Sequence, residues 1–242
     1  MAGEPFDASA DLAEPSGEHP NLRPRDAATL IIVRRDGSGP RVLMGRRASG
    51  HVFMAARWVF PGGRLTRSDW RAPASSELRR EVADAVNQGL RRPRARALAQ
   101  AAVRETFEET GLLLARPSQE AAKFNLAPYA GFSARGVAPD LAALSFVGRA
   151  ITPPRQVRRF DARFFMADAD ALTSLDPQSG DRELDEIAWI ELSQTAKLEL
   201  PRITAFMLEE LSLRMRDPDR PPALVRKVGA RHVVERIARA PR

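Results

Sequence analysis

Runs of apolar residues, and the polar or glycine-rich breaks between them, divide the chain into predicted strands and helices. Ala27 to Arg34 and Val42 to Arg46 are short runs rich in Ile, Leu and Val, joined by Asp36-Gly37-Ser38-Gly39-Pro40; they predict a hairpin at the start of a sheet. Trp58-Val59-Phe60 reads as a further strand that runs into Pro61-Gly62-Gly63. Leu112 to Ala115, Leu144 to Ile151, Phe160 to Met166 and Ile187 to Leu192 also read as strands. Between Leu144–Ile151 and Phe160–Met166, Pro153 and Pro154 cannot donate to a ladder, and the break is sharp.

Helical spacing appears in three places. Ala95 to Thr110 holds strong helix formers, has no internal Pro or Gly, and is followed by Gly111, which predicts one helix with a glycine C-cap. Ser75 to Leu90 places Leu78, Val82, Ala85 and Val86 near the i, i+4, i+7, i+8 pattern, with Gly89 as its terminator. Pro201 to Met215 opens on a first-turn proline and collects Ile203, Phe206, Met207, Leu208 and Leu211 on its apolar side. Ser118 to Phe124 predicts a short helix, Pro128 to Pro139 a loop hinged at Gly131 and Gly136, and Ala223 to Val234 an edge strand or hairpin. Residues 1–25, rich in Pro, Glu, Asp, Gly and Ser, predict a mobile tail. The domain expectation is therefore a tail over 1–25, one domain over 26–216, and a C-terminal extension over 217–242.

The Ala95–Thr110 helix carries Arg104-Glu105-Thr106-Phe107-Glu108-Glu109-Thr110-Gly111 at its end. At about 100° per residue, Glu105, Glu108 and Glu109 fall at roughly 0°, 300° and 40°, one narrow face. Like charges at this spacing, close to a helix C-terminus, destabilise an isolated helix. A hard divalent cation such as Mg²⁺ or Mn²⁺, bound through oxygen, would offset that cost. A charge run alone is more often a solvated face. The upstream segment shifts the balance, because a strand, a double glycine and Asp69, six positions after Gly63, precede the helix.

Together these pieces resemble the Nudix hydrolases, whose box reads G-x5-E-x7-R-E-U-x-E-E-x-G-U with U apolar. Gly63 matches the first Gly, Asp69 the first acid, and Arg104, Glu105, Glu108, Glu109, Gly111 and Leu112 the second half. Residues 70–103 stand where the pattern has seven positions, so 27 additional residues interrupt it. An uninterrupted box would need Gly at 90 and an acid at 96, and the chain has Leu90 and Arg96. Asp69 replaces Glu, which leaves the role of the first acid open, and Thr106 replaces an apolar residue. Phe60 to Gly63, Arg104 to Gly111 and Arg159 to Phe165 are similar to the flanks of the coenzyme A diphosphatase-like subgroup, Nudix type 19, which carries a long insertion at this place.

The resemblance implies an α/β fold, an α/β/α sandwich with a mixed β-sheet and a loop-helix-loop catalytic motif. It implies hydrolysis of a diphosphate bond with Mg²⁺ or Mn²⁺ held by Glu105, Glu108 and Glu109. A further acid from a loop facing the box helix is Glu183, six residues before Trp189, with Glu186 as the alternative and a pair of solvated loop acids as the plainer reading. Arg104 belongs to the catalytic group as its organiser, pairing with neighbouring carboxylates. Gly62 and Gly63 would let backbone approach a pyrophosphate. Arg46 and Arg57 either face substrate phosphates or are surface charges at strand ends. The insertion, about Trp70 to Arg94, is a lid or flank on the site, or structural padding. The implied substrate is CoA or an acyl-CoA; ADP-ribose, NADH and dinucleoside polyphosphates, or nucleotide binding without catalysis, are the alternatives.

Composition narrows the chemistry further. There is no Cys, which excludes disulfides, thiolate metal sites and Cys nucleophiles, and the three His at 19, 51 and 232 are scattered. The net charge of +7 is spread along the chain and carried almost wholly by Arg; with 6% aromatics and no recognition motif, it suits phosphate-bearing small molecules better than nucleic acid. No apolar stretch is long enough to span a membrane, and the acidic, Pro-rich N-terminus is unlike a signal peptide, so the expectation is a soluble cytoplasmic protein. Self-association into a homodimer is compatible with the sequence.

Overall fold

A computed structural model describes residues 22–48, 56–90, 93–124, 126–156, 158–178, 183–229 and 231–238. The expected tail up to residue 21 lies outside the described residues, as do residues 179–182 of the polar loop before the Trp189 strand. In chain order the elements are β1 (Arg25–Arg34), β2 (Arg41–Arg47), β3 (Trp58–Val59), β4 (Gly62–Arg64), α1 (Arg80–Asn87), α2 (Ala95–Thr110), β5 (Ala115–Pro117), α3 (Ala130–Ser133), β6 (Val137–Pro139), β7 (Ser145–Ile151), β8 (Phe160–Asp168), β9 (Leu184–Glu191), α4 (Arg202–Arg216), β10 (Ala223–Val228) and β11 (Arg231–Arg236).

The centre of the molecule is β1, whose apolar run alternates between two cores. Leu30 and Ile32 are buried with Leu98, Ala102 and Val103 of α2, while Ile31 and Val33 are buried with Met207, Leu208 and Leu211 of α4. A strand buried on both faces needs a layer on each side, and the result is an α/β/α sandwich. The main sheet runs β11-β10-β7-β8-β1-β2-β3, with β4 added on β1 and β9 on β2. It is mixed: β8 lies parallel to β1 and β10 parallel to β7, and the remaining pairs are antiparallel.

One fork in this sheet positions the site. β1 pairs with β2 only through Val33↔Val42 and Arg34↔Arg41, and its earlier residues Ala27 to Thr29 pair instead with Arg64 to Gly62 of β4. The double-glycine turn is thereby seated beside β1 and under α2.

The insertion folds back on α2 rather than away from it. Val82 and Val86 of α1 join the α2-side core, and the Asn87 side-chain oxygen accepts the Arg94 and Ala95 N–H groups at 2.8 and 3.0 Å, capping the start of α2. Buried Gln100 donates to the carbonyls of Ala72 and Pro73 at 3.2 and 2.9 Å. Helix α2 thus holds both ends of the interruption.

Three expectations change. Helix α1 starts at Arg80, not Ser75, because Ser76 is diverted: its hydroxyl donates to Asp140 at 2.5 Å and accepts the Ala142 N–H at 2.9 Å. The strand expected at Leu112 begins only at Ala115, and Ser118 to Phe124 contains a single 3₁₀ turn, Ala121–Lys123. The loop expected over Pro128 to Pro139 contains α3 and β6, the latter pairing with β5. Phe107 of α2 meets Phe132 edge-on at 5.0 Å, and packing of this kind decides such short elements. The residues after Asp217 extend the main sheet through β10.

Candidate active site

Arg104 is the hub of the site. Its guanidinium, 3% exposed, donates through Nε and Nη2 to the two Asp69 oxygens at 2.7 and 3.1 Å, and through Nη1 to Glu105 at 2.8 Å and Glu108 at 2.7 Å. Nη2 also donates to the Arg64 carbonyl at 3.1 Å. Burial alone would lower the basicity of Arg104, but the Asp69 hydrogen bond and the charges of Glu105, Asp69 and Glu108 outweigh it and hold the pKa above its ordinary value.

Asp69, whose role the sequence left open, is fully buried and serves as the anchor. Besides Arg104 it accepts the Thr66 N–H at 2.7 Å, the Thr66 hydroxyl at 2.9 Å and the Tyr129 hydroxyl at 2.8 Å. Burial, reinforced by the charge of Asp69, pushes the Tyr129 phenol far up, so it stays a donor. A buried carboxylate met by a two-pronged guanidinium and three further donors is compensated as such groups require. The pair joins the two halves of the interrupted box.

Two of the acids of α2, Glu105 and Glu109, meet the glycine turn directly. A Cβ on Gly63 would lie 2.3 to 2.5 Å from the Glu105 carboxyl group, so the space freed by this glycine belongs to Glu105. Gly62 donates its N–H to Glu109 at 3.0 Å, and a Cβ there would strike the Ala28 carbonyl at 2.6 Å and Thr29 Cα at 2.7 Å. Burial pushes the Glu105 carboxyl up to about 7, with the charge of Arg104 opposing. Glu109 is buried, and Glu108, its side chain 31% exposed, is the most open of the three. Gly111 adopts the left-handed conformation at φ 70° and ends the helix as expected.

Among the described residues no three His, Asp or Glu side chains stand together as a ready-made metal cage. Glu105 and Glu108 converge on one nitrogen of Arg104, and Glu109 is turned to Gly62. Their donor chemistry, all carboxylate oxygen, fits a hard divalent cation, and the point where two of them meet already favours positive charge.

Of the remaining predicted residues, Arg46 lines a groove of about 530 Å³ together with Arg47, Trp58, Asp185 and Lys197, among others. Arg46 pairs with Glu186 at 3.3 Å, and Glu183 accepts from Arg47 at 3.4 Å. Arg57 donates to the Leu200 carbonyl at 3.2 Å and does not line the groove. The segment leading to Glu183 is tied to the end of α2, where Gln178 donates its N–H to the Thr110 carbonyl at 2.8 Å. Sequence reasoning missed Tyr129 and Thr66 as partners of Asp69. Tyr129 is the only tyrosine in the chain, and no motif spacing links it to position 69.

No protein-family model matches the chain, and no curated protein does. Among solved structures, a Nudix hydrolase from Alicyclobacillus acidocaldarius is 30% identical with a TM-score of 0.61, the alignment covering 81% of this chain and 97% of that one. The Nudix domain of Shewanella oneidensis NrtR, complexed with ADP ribose, is 12% identical with a TM-score of 0.49 over 80% and 90% of the two chains. A Nudix hydrolase from M. smegmatis, RenU, is 18% identical with a TM-score of 0.45 over 79% and 86%.

Proposed function

This chain belongs to the Nudix hydrolase family, and from that premise we propose that it cleaves the diphosphate bond of CoA or an acyl-CoA, giving a 4′-phosphopantetheine product and adenosine 3′,5′-bisphosphate. The observation that carries the catalytic part is the Arg104–Asp69 clamp across the interruption, with Glu105 against Gly63, Glu109 bonded to Gly62 and Glu108 on the same guanidinium as Glu105. CoA as substrate is supported by the likeness of Phe60–Gly63, Arg104–Gly111 and Arg159–Phe165 to the coenzyme A diphosphatase-like subgroup.

In this reading Glu108 and Glu109 hold Mg²⁺ or Mn²⁺, with Glu105 as third ligand or proton acceptor and Glu183 as a further ligand from the loop tied to α2. A bound cation supplies neutralisation of phosphate oxygens and a lowered pKa for its water. Glu105, raised to about 7 by burial, is suited to accept a proton near neutral pH. Arg104 touches no substrate in this scheme and acts as a positioning residue. Arg46 supplies a guanidinium group on the groove side, where Arg46 and Arg47 line the wall; Arg57, held by the Leu200 carbonyl, lies off it.

The test is a substrate panel at fixed Mg²⁺: CoA, ADP-ribose, NADH and a dinucleoside polyphosphate, followed by product release. The expected result is the highest kcat/KM on CoA. Turnover of ADP-ribose or NADH with none of CoA would remove the substrate assignment and leave the hydrolase intact.

A further inference from the structure

A second cavity on the described surface is larger than the groove beside Arg46. It has a volume of about 850 Å³ and lies where the start of β1, the segment after β4 and the insertion meet, sharing no lining residue with that groove. This volume falls in the range of small-molecule sites, roughly 300–1,000 Å³.

Its charge is one-sided. Arg23, Arg25, Arg64 and Arg67 stand exposed around the rim, and none has a carboxylate partner among the described residues. In the floor, Asp26 pairs with Arg94 and, at 3.2 Å, with Arg163; Asp161 pairs with Arg149 at 2.7 Å and with Arg163 at 2.8 Å. Six lining arginines therefore stand against two lining carboxylates. The lining residue Arg94 leaves its buried Nε without a partner among the described residues. Cations gathered at this density repel one another, and an anion in the cavity would offset that repulsion.

The wall also carries a flat apolar surface. Trp70, the first residue of the insertion, is 50% exposed and lines the cavity with Gly89 and Leu90 from the far end of the same insertion. Guanidinium forks match phosphate oxygens, and an exposed indole offers a face for a ring to stack on. We propose that this cavity, which is lined by none of Glu105, Glu108 and Glu109 and is separate from the groove beside Arg46, is a second ligand site that binds a phosphorylated nucleotide through the rim arginines and Trp70. The insertion then builds one wall of a binding site.

One other occupant has matching charge. Residues 1–21, which lead directly to Arg23, carry five acids, Glu4, Asp7, Asp11, Glu14 and Glu18, and no Lys or Arg. Nothing in that segment supplies a phosphate, and its only rings able to stack are Phe6 and His19.

The experiment is equilibrium titration of the full chain with ADP and with inorganic phosphate in EDTA, read by calorimetry and tryptophan fluorescence, so that no turnover enters. Saturable ADP binding is expected, at least about tenfold tighter than phosphate because only ADP can stack. The exposed-site double variant Arg25→Glu/Arg67→Glu should weaken both probes by at least about tenfold. Trp70→Ala should weaken ADP severalfold and leave phosphate unchanged. The proposal is overturned if neither probe saturates, if Arg46→Ala weakens ADP while Arg25→Glu/Arg67→Glu does not, or if ADP binds no better than phosphate. It is equally overturned if binding appears only when the five N-terminal acids are replaced by their amides, which would make the acidic segment the occupant.

Discussion

Replacing Gly63 with Ala should separate catalysis from stability at this site. The added Cβ would stand 2.3 to 2.5 Å from the carboxyl carbon and both oxygens of Glu105. Ordinary contact begins near 3.4 Å, so the carboxylate must retreat by about 1 Å. Glu105 is the far end of a flexible side chain and can move, whereas β4 is pinned to β1 through Ala28↔Gly63 and stays. Gly63 does not have a positive φ, so alanine introduces no backbone strain there. A displacement of about 1 Å in a catalytic group costs on the order of 10²-fold in rate, or about 2.7 kcal/mol of barrier. The measurement is Mg²⁺-dependent kcat on the best substrate of the panel, paired with a thermal melt by circular dichroism. The expected outcome for Gly63→Ala is a kcat lowered by about two orders of magnitude with little change in Tm. Gly62→Ala is the contrast. Its Cβ meets backbone at Ala28 and Thr29, which cannot give, and it should lower Tm. Wild-type kcat in a folded Gly63→Ala protein would refute the placement of Glu105 against the glycine turn.

Asp69→Ala leaves Arg104 buried without its main partner and should cost about 3 kcal/mol or more in urea unfolding; a loss below about 1 kcal/mol would show that Asp69 is no anchor. Glu109→Gln keeps an acceptor for the Gly62 N–H, so the melt should be unchanged while Mg²⁺-dependent turnover is abolished, and full activity in that variant would remove Glu109 from the metal set. Burial pushes the Glu210 carboxyl up, but hydrogen bonds from Arg236 and Arg220 outweigh this and leave it below the ordinary value of 4.5. With a folded pKa below the unfolded one, its contribution to stability is complete above that value and is lost as pH falls through the folded pKa. Tm should therefore decline on acidification below about pH 4.5, and less steeply in Glu210→Gln, which has no carboxylate left to titrate.

What was legible in the sequence was what depends on near neighbours. Helix α2 has the bounds expected of it because its residue preferences and the Gly111 cap act within a turn or two. Strands β1, β2, β7 and β8 follow from apolar runs bounded by turns, and the two halves of the interrupted box could each be seen alone. The contact that joins them could not. Asp69, Arg104 and Tyr129 meet only after the chain has folded, and no periodicity records it. Residues 117–140 were misread for the same reason, since a four-residue α3 and a three-residue β6 are too short to announce themselves and depend on packing against Phe107. The 27-residue interruption could be counted, but its return onto α2 through Asn87 and Gln100 could not.

Lengthening the connection between Asp69 and Arg104 from 7 residues to 34 raises the entropy of closing it by only about 1.4 kcal/mol, because that term grows with the logarithm of length. A buried ion pair at the two ends of the connection can absorb so small a penalty. The stretch between them is then a docking port for new sequence, where a chain of this fold can acquire a whole extra surface while the reacting groups keep their mutual positions. Variation in this enzyme should accordingly be tolerated in the length of that stretch and punished at its two end residues.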